Sequence, residues 1–185
     1  MDAVIQVRPV GQPQRDLLVG MYDQFDPLGA ALGLPPPNAQ ARHAWIDAAL
    51  RQQVNLAAIT PEGEAVGHCF LVAGEGASAE MAVFVHQHFR RRGLGSALVK
   101  AALERGRDAG LRRVWTLTAS DNIAALRLQF RCGFRVANST ASETEMEIEL
   151  PPAAWRSDRS RDREGAISVA SPPARRSPAG ASACP

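Results

Sequence analysis

The chain is almost without lysine: Lys100 is the only one among 21 basic residues in a length of 185. Its positive charge is therefore carried by arginine, read here as a bias of the coding genome before any preference for bidentate recognition. Cysteine is scarce and odd in number, with Cys69, Cys132 and Cys184 at no metal-ligand spacing. That argues against a disulfide framework or a zinc site and for reduced thiols in a cytoplasmic protein. No apolar run approaches the ~20 residues of a membrane span. The opening MDAVIQVRPV lacks the basic start and apolar run of a secretory leader. No internal repeat is present. A global basic field is also missing. Residues 151–185 hold six arginines against three acids, and the formal net charge is +2, so residues 1–150 carry about −1 (+2 minus +3). Neither a nucleic-acid nor a membrane partner is expected on that balance, and the tail mixes acids among its arginines.

What is present is a hydrophobic content of 45%, enough for one domain with a core. Residues 3–8 alternate apolar and polar as a strand does. Leu17, Leu18, Met21 and Phe25 follow at helical spacing, and the glycines and triple proline of DPLGAALGLPPPN form a loop. Asn38 suits the N-cap of a helix through Gln52, with Trp45 on its apolar face. VNLAAIT and VGHCFLVAG flank a Pro/Gly turn as a hairpin, and EMAVFVH reads as a third, central strand covered on both faces. A helix over residues 93–109 is followed by RRVWTLTA, read as a buried-type strand. Asn122 opens a helix with Ile123, Leu126 and Phe130 in one stripe, so Phe130 is expected in the core; Gly133 closes it. FRVAN and TEMEIEL complete residues 1–150 as a single domain. Residues 151–185 are rich in Pro, Ser, Ala and Arg without a period, and disorder is expected from about 153. The order of elements gives an α+β (mixed α/β, three-layer) domain and not an alternating doubly wound sheet.

Residues 86–96, HQHFRRRGLGS, pose a physical problem. Arg90, Arg91 and Arg92 stand at the N-terminus of a helix, where the macrodipole disfavours cations by a few tenths of a kcal/mol. A strand, a Gly-containing turn and a helix start present unpaired backbone N–H groups, and Gly93 and Gly95 let a ligand approach. Such a nest attracts phosphate, and a multiply charged anion would neutralise the arginines. The other reading is a solvated basic turn. No Gly-Lys-Ser/Thr follows, which excludes a Walker loop, and the third glycine and preceding βαβ unit of a dinucleotide fingerprint are missing.

About 27 residues beyond Gly95 comes N-x-x-A-x-x-L and then G-F, as Asn122, Ala125, Leu128, Gly133 and Phe134. The R-x-x-G-x-G of Arg90, Gly93 and Gly95, after the strand MAVFV and at this distance from the second motif, resembles the GNAT superfamily of acyl-CoA-dependent N-acetyltransferases. The resemblance covers residues 3–150, with 80–136 its specific part. It implies a central, mostly antiparallel sheet of about seven strands flanked by about four helices. It further implies transfer of an acetyl group from acetyl-CoA, without a metal, to a primary amine by direct attack in a ternary complex. The acceptor is a small molecule or a protein lysine or N-terminus, and the resemblance admits a homodimer. The pyrophosphate maps to Arg91, Arg92, Gly93, Leu94, Gly95 and Ser96, with Arg90 at the motif's Gln/Arg position. Pantetheine maps to the backbone of Val83, Phe84 and Val85 and to Asn122, which is equally a simple helix N-cap.

One position departs from the pattern. Where the family has a Tyr that serves the departing thiolate, this chain has Gln129, on the helix face of Asn122 and Ala125. An amide donates a hydrogen bond but delivers no proton at neutral pH, so an acyl-CoA sensor or interaction module without turnover is the competing function. On the acceptor side Glu80 resembles a family position that acts as a base through water; read alone, it is a strand-end carboxylate. Thr116 and Thr118 stand where another family base would be. His86 and His88 are placed for phosphate or solvent contact, and His68 for a half-buried slot. Tyr22, Asp23 and Asp26 sit where the family shapes its acceptor pocket, or at a solvated helix end.

Overall fold

The computed structural model describes residues 4–152 and 168–170. In chain order the elements are β1 (Val4–Pro9), α1 (Arg15–Asp23), α2 (Ala39–Ala49), β2 (Val54–Ile59), β3 (Ala65–Ala73) and β4 (Ser78–Val85). They continue with α3 (Leu94–Asp108), β5 (Arg113–Ala119), α4 (Ile123–Arg131), β6 (Arg135–Ser139), β7 (Glu143–Glu149) and β8 (Ser168–Ala170). All eight strands join one sheet in the order β6-β7-β5-β4-β3-β2-β1-β8. Every neighbouring pair is antiparallel except β4–β5, which is parallel. The three-layer α+β reading holds, with seven strands in the body and the short β8 added to β1. The rest of the tail, and with it most of the expected disorder, lies outside the described residues.

Two cores follow from strand alternation. On one face α3 lays Leu94, Leu98, Val99 and Ala102 against Leu56, Ala58, Val66, Cys69 and Met81. On the other, α1 and α2 bring Leu18, Met21, Tyr22 and Ile46 onto Ala57, Ile59, Phe70 and Phe84. β2 is buried along its whole length and β3 along its first seven residues, because helices cover both sides there.

Three expectations need correction. The second helix ends at Ala49, short of Gln52. β5 alternates buried and accessible residues instead of being buried throughout, since among the described residues no helix covers its second face. Phe130 is 55% exposed and Ile123 51%. The helix turns Leu128, Gln129 and Cys132 inward with Leu126 at the margin, so that Ile123 and Phe130 lie on its outer side, and the apolar spacing gave no hint of the rotation.

The feature that positions a site is a parting of strands. β4 pairs with β5 only from Ser78 to Glu80, against Arg113 to Trp115. Beyond that point β4 continues along β3 to Val85, and β5 continues along β7 to Ala119. A gap opens between two strands of one sheet.

Candidate active site at the parting of β4 and β5

Antiparallel pairing sends the backbone groups of successive residues to opposite edges. His86 N–H donates to Val66 O at 3.0 Å, in register with Phe84 opposite His68. Phe84 therefore spends its backbone groups on β3, while those of Val83 and Val85 face the gap. Of the three residues expected along pantetheine, two turn their backbone groups to this edge. Val85 O already accepts from Arg90 Nε at 3.0 Å.

At the top of the gap lies the basic turn. Arg91 (φ 63°) and Gly93 (φ 82°) are both left-handed, which orients successive amides into a concavity. For Arg91 this conformation is strained, and strain of this kind persists where surrounding structure enforces it. A Cβ on Gly93 would meet nothing within 4 Å, so the space beside it is open. Gly95 is different: its Cβ would lie 3.0 Å from Leu128 Cδ2 and 3.7 Å from Val85 Cγ2. The second glycine exists for helix packing, letting α4 close on the start of α3. Gly93 caps α3 without a side-chain bond, and the first-turn amides of Leu94, Gly95 and Ser96 have no intrahelical acceptor.

The three arginines divide their work. Arg92 lies over the Phe89 ring at 5.3 Å with Nη1 buried and without a partner. Arg91 is exposed. Arg90 faces away from the turn. Its Nη2 donates to Asp26 O at 2.9 Å and its guanidinium lies 5.3 Å from the Phe25 ring centre, so it ties the loop after α1 to the end of β4. An orphaned guanidinium nitrogen, open space beside Gly93 and free amides together fit a phosphate-bearing ligand.

Glu80 is half-buried where the strands part, and burial raises its carboxyl above the usual range. Its side chain is on the α1/α2 face, like those of Ala82 and Phe84, and its register neighbour on β5 is Trp115. His86 and His88 lie beyond the other end of β4. His86 is six residues and about 20 Å along the chain from Glu80, and burial lowers its pKa.

Asn122 caps α4, its Oδ1 accepting from Ala125 N–H at 3.1 Å. Gln129 is 1% exposed and packs beneath α4, its Nε2 donating to Thr118 Oγ1 at 2.7 Å; its Oε1 is buried and unpartnered.

On the α1/α2 face of the sheet the structure holds a buried polar chain. Asn55 Nδ2 donates to Ala49 O, so its Oδ1 accepts from His68 Nε2–H at 2.6 Å. That fixes the tautomer: His68 Nδ1 accepts from the Tyr22 hydroxyl at 2.8 Å. Burial pushes the His68 pKa down to about 3 and the Tyr22 pKa well up, so both are neutral. His68 is fully buried, not half-buried. Arg42, 5% exposed, donates to Asp23 Oδ1, Pro36 O and Pro37 O, clamping the Gly/Pro loop to α1 and holding the Asp23 carboxyl below its usual range. The pairing of Glu80 with Trp115 and the tie made by Arg90 had no signal in the sequence, because both depend on cross-strand register and loop path. Among the described residues no group of three or more His, Cys, Asp or Glu gathers as a metal site, and no helix is long and apolar enough to cross a membrane.

The sequence and the fold have counterparts in known proteins. The L-methionine sulfoximine/L-methionine sulfone acetyltransferase of Pseudomonas paraeruginosa is 32% identical over 108 residues, which span 55% of this chain and 63% of that protein. The GNAT domain of S. lividans PAT aligns over 79% of this chain and 90% of its own with a TM-score of 0.69 and 19% identity. The structure of yncA from Salmonella typhimurium, solved with its cofactor acetyl-CoA, aligns over 81% and 96% with a TM-score of 0.62 and 20% identity. At these identities the two structures show the fold. The family model for the acetyltransferase (GNAT) family matches residues 17–134, and the chain belongs to that family.

Proposed function

We propose that the protein is an N-acetyltransferase that moves an acetyl group from acetyl-CoA to a small-molecule primary amine. The observation that carries this reading is the gap between β4 and β5, lined by backbone edge groups and capped by a basic turn. Acetyl-CoA supplies an acyl group activated as a thioester. Arg91, Arg92 and the amides from Gly93 to Ser96 hold its pyrophosphate by charge-assisted hydrogen bonds. Val85 and Val83 pair with its amides as an added strand, the Val83 N–H, nearer Glu80 along β4, polarises the thioester carbonyl, and Asn122 offers its amide nitrogen. Arg90 serves by fixing the acceptor loop against β4.

The incoming amine must be neutral to attack, and an alkylamine has a pKa near ~10.4. Glu80 accepts the amine proton, directly or through a water, as the nitrogen–carbon bond forms and the carbon–sulfur bond breaks. Its raised pKa brings it nearer the working pH and makes it a better base than an exposed glutamate. Gln129 is neutral and held by Thr118, so the thiolate departs without a proton from this position. With a thiol pKa of about 8.5, departure as thiolate is feasible near neutral pH.

Calorimetric titration with acetyl-CoA tests the reading. Wild type is expected to bind in the micromolar range, and Gly93→Glu, which sets bulk and negative charge against the pyrophosphate, to bind at least about 100-fold more weakly with an unchanged circular dichroism spectrum. Normal binding by the variant would show that the turn is misassigned, and no wild-type binding at millimolar ligand would sink the function.

A further inference from the structure

We propose that the acceptor carries a second positive charge on an alkyl spacer, and is not an amino acid with a free carboxylate; this rests on the acetyl-transfer reading above. The observations lie on the half of the sheet that α1 and α2 do not reach. On the face of Glu80, β5 presents Trp115 and Leu117, and β7 presents glutamates. Register places Glu80 beside Trp115 and Trp115 beside Glu147 in one row, with Leu117 beside Glu145 in the next and Ala119 beside Glu143 above. Leu117 is 38% exposed, a large apolar side chain left open between strands that carry carboxylates. The result is an apolar floor with negative charge at both margins.

Charge on this face is unbalanced. Among the described residues of β4 to β7 on this face, Glu80 and the four glutamates of β7 make five carboxylates and Arg113 and Arg135 two cations, a difference of three (5 − 2). Both arginines are already matched. Arg113 meets Glu147 at 2.7 Å and Glu145 at 3.3 Å, and Arg135 meets Glu147 and Glu149 at 3.1 Å each. A carboxylate on the acceptor would find matched cations and a net negative field. The other nearby cation, Arg90, sits by Val85, five residues and about 16 Å up β4 from Glu80, donating to two carbonyl oxygens. An alkyl spacer instead packs on Trp115 and Leu117, and a distal ammonium reaches Glu143, which pairs with no cation among the described residues, or shares Glu145 with Arg113.

Strand geometry sets the length. Two strand spacings of about 4.8 Å and a climb of two or four residues put Glu145 and Glu143 about 12 and 16 Å from Glu80. With contact distances of about 3 Å at each end, the two nitrogens stand roughly 6–10 Å apart, within reach of a flexible alkyl spacer of about four to eight carbons. A second copy of this chain is a poor occupant of the face, because two such surfaces would bring like charge together.

A matched series tests this, with thiol release as the readout: 1,8-diaminooctane, 1-aminooctane and 8-aminooctanoate share a spacer and differ in the distal charge, and L-methionine sulfone is the acceptor of the relative. The expected order of kcat/KM is diamine over monoamine over amino acid, about tenfold or more per step, compressed at high salt because exposed charges are screened. Glu143→Gln and Glu145→Gln should each lower the diamine-to-monoamine ratio at least threefold. Equal or better use of 8-aminooctanoate or methionine sulfone overturns the proposal, as does a ratio unmoved in both variants. Calorimetric titration should show the diamine binding more tightly than 8-aminooctanoate even without turnover, and the reverse order overturns the proposal as well. Failure of acetyl-CoA to bind sinks acetyl transfer instead, so the two failures are told apart.

Discussion

Lowering the pH from 7.5 to 5 should destabilise this protein by about 2 kcal/mol through His68 alone. The imidazole is fully buried, donates from Nε2 to Asn55 and accepts at Nδ1 from Tyr22, and burial holds its pKa at about 3. In the unfolded chain the same group titrates near ~6.5. Between those values the unfolded state binds one proton more than the native state, so stability rises with pH. Conversely, stability is lost as pH falls below ~6.5, at up to about 1.4 kcal/mol per pH unit until about pH 3. At pH 5 the accumulated loss is ~1.5 pH units, or about 2 kcal/mol. Asp23 and Asp47, whose pKa values are lowered by Arg42 and Arg15, lose their contributions only below the ordinary carboxylate range, outside this window. Glu80, raised by burial, acts in the opposite direction, and His86 in the same one. Urea denaturation of wild type and His68→Gln at several pH values cancels both in the difference. That difference should shrink by about 2 kcal/mol from pH 7.5 to 5 with m-values unchanged. A parallel pH dependence in the two proteins would refute the neutral, doubly bonded imidazole.

Glu80→Gln should lower kcat/KM by roughly 10²–10⁴-fold and remove the rise of wild-type activity with pH through the raised Glu80 pKa, with the KM for acetyl-CoA little changed; unaltered initial rates across pH would remove Glu80 as the base. Gly95→Ala should destabilise the wild type, because overpacking against Leu128 at 3.0 Å, worth about 1–3 kcal/mol, exceeds the ~1 kcal/mol gain in helix propensity. In a Leu128→Ala background the same change should stabilise, and stabilisation in both backgrounds by thermal melting would rule out the packing role of this glycine.

The elements that were legible in the sequence are those whose pattern is local. The run MAVFV, the turn RRRGLG and the N-x-x-A-x-x-L helix each carry their own periodicity and capping, and β4, α3 and α4 stand where those signals put them. What was not legible depends on how elements meet. Phe130 belongs to a good apolar stripe, yet it and Ile123 face solvent while Leu126 alone of that stripe packs on the core, because the helix is held through Leu128, Gln129 and Cys132. Arg90 has the residue type of a phosphate ligand and instead anchors a loop whose path begins 64 residues earlier in the chain. His68 differs little from any strand histidine until Tyr22 and Asn55 are brought to its two nitrogens from α1 and β2.

The replacement at position 129 and the state of Glu80 belong to one argument. A site that supplied both an acid and a base would need two groups of opposite protonation, and its pH profile would fall on each side. Here the residue at the acid's place is an amide buried at 1% exposure and fastened to Thr118, and no proton is available from it at any ordinary pH. Glu80, the base we propose, is in contrast half-buried with its pKa raised. With these proposed roles the site would lose nothing at high pH: the amine is more often neutral, Glu80 stays ionised, and a departing thiolate with a pKa of about 8.5 needs less help. In that mechanism the catalytic burden would fall on alignment, to which the tie of Arg90 to Asp26, the clamp of Arg42 on Asp23 and the Tyr22–His68–Asn55 chain contribute by fastening α1 and the loop after it to the sheet.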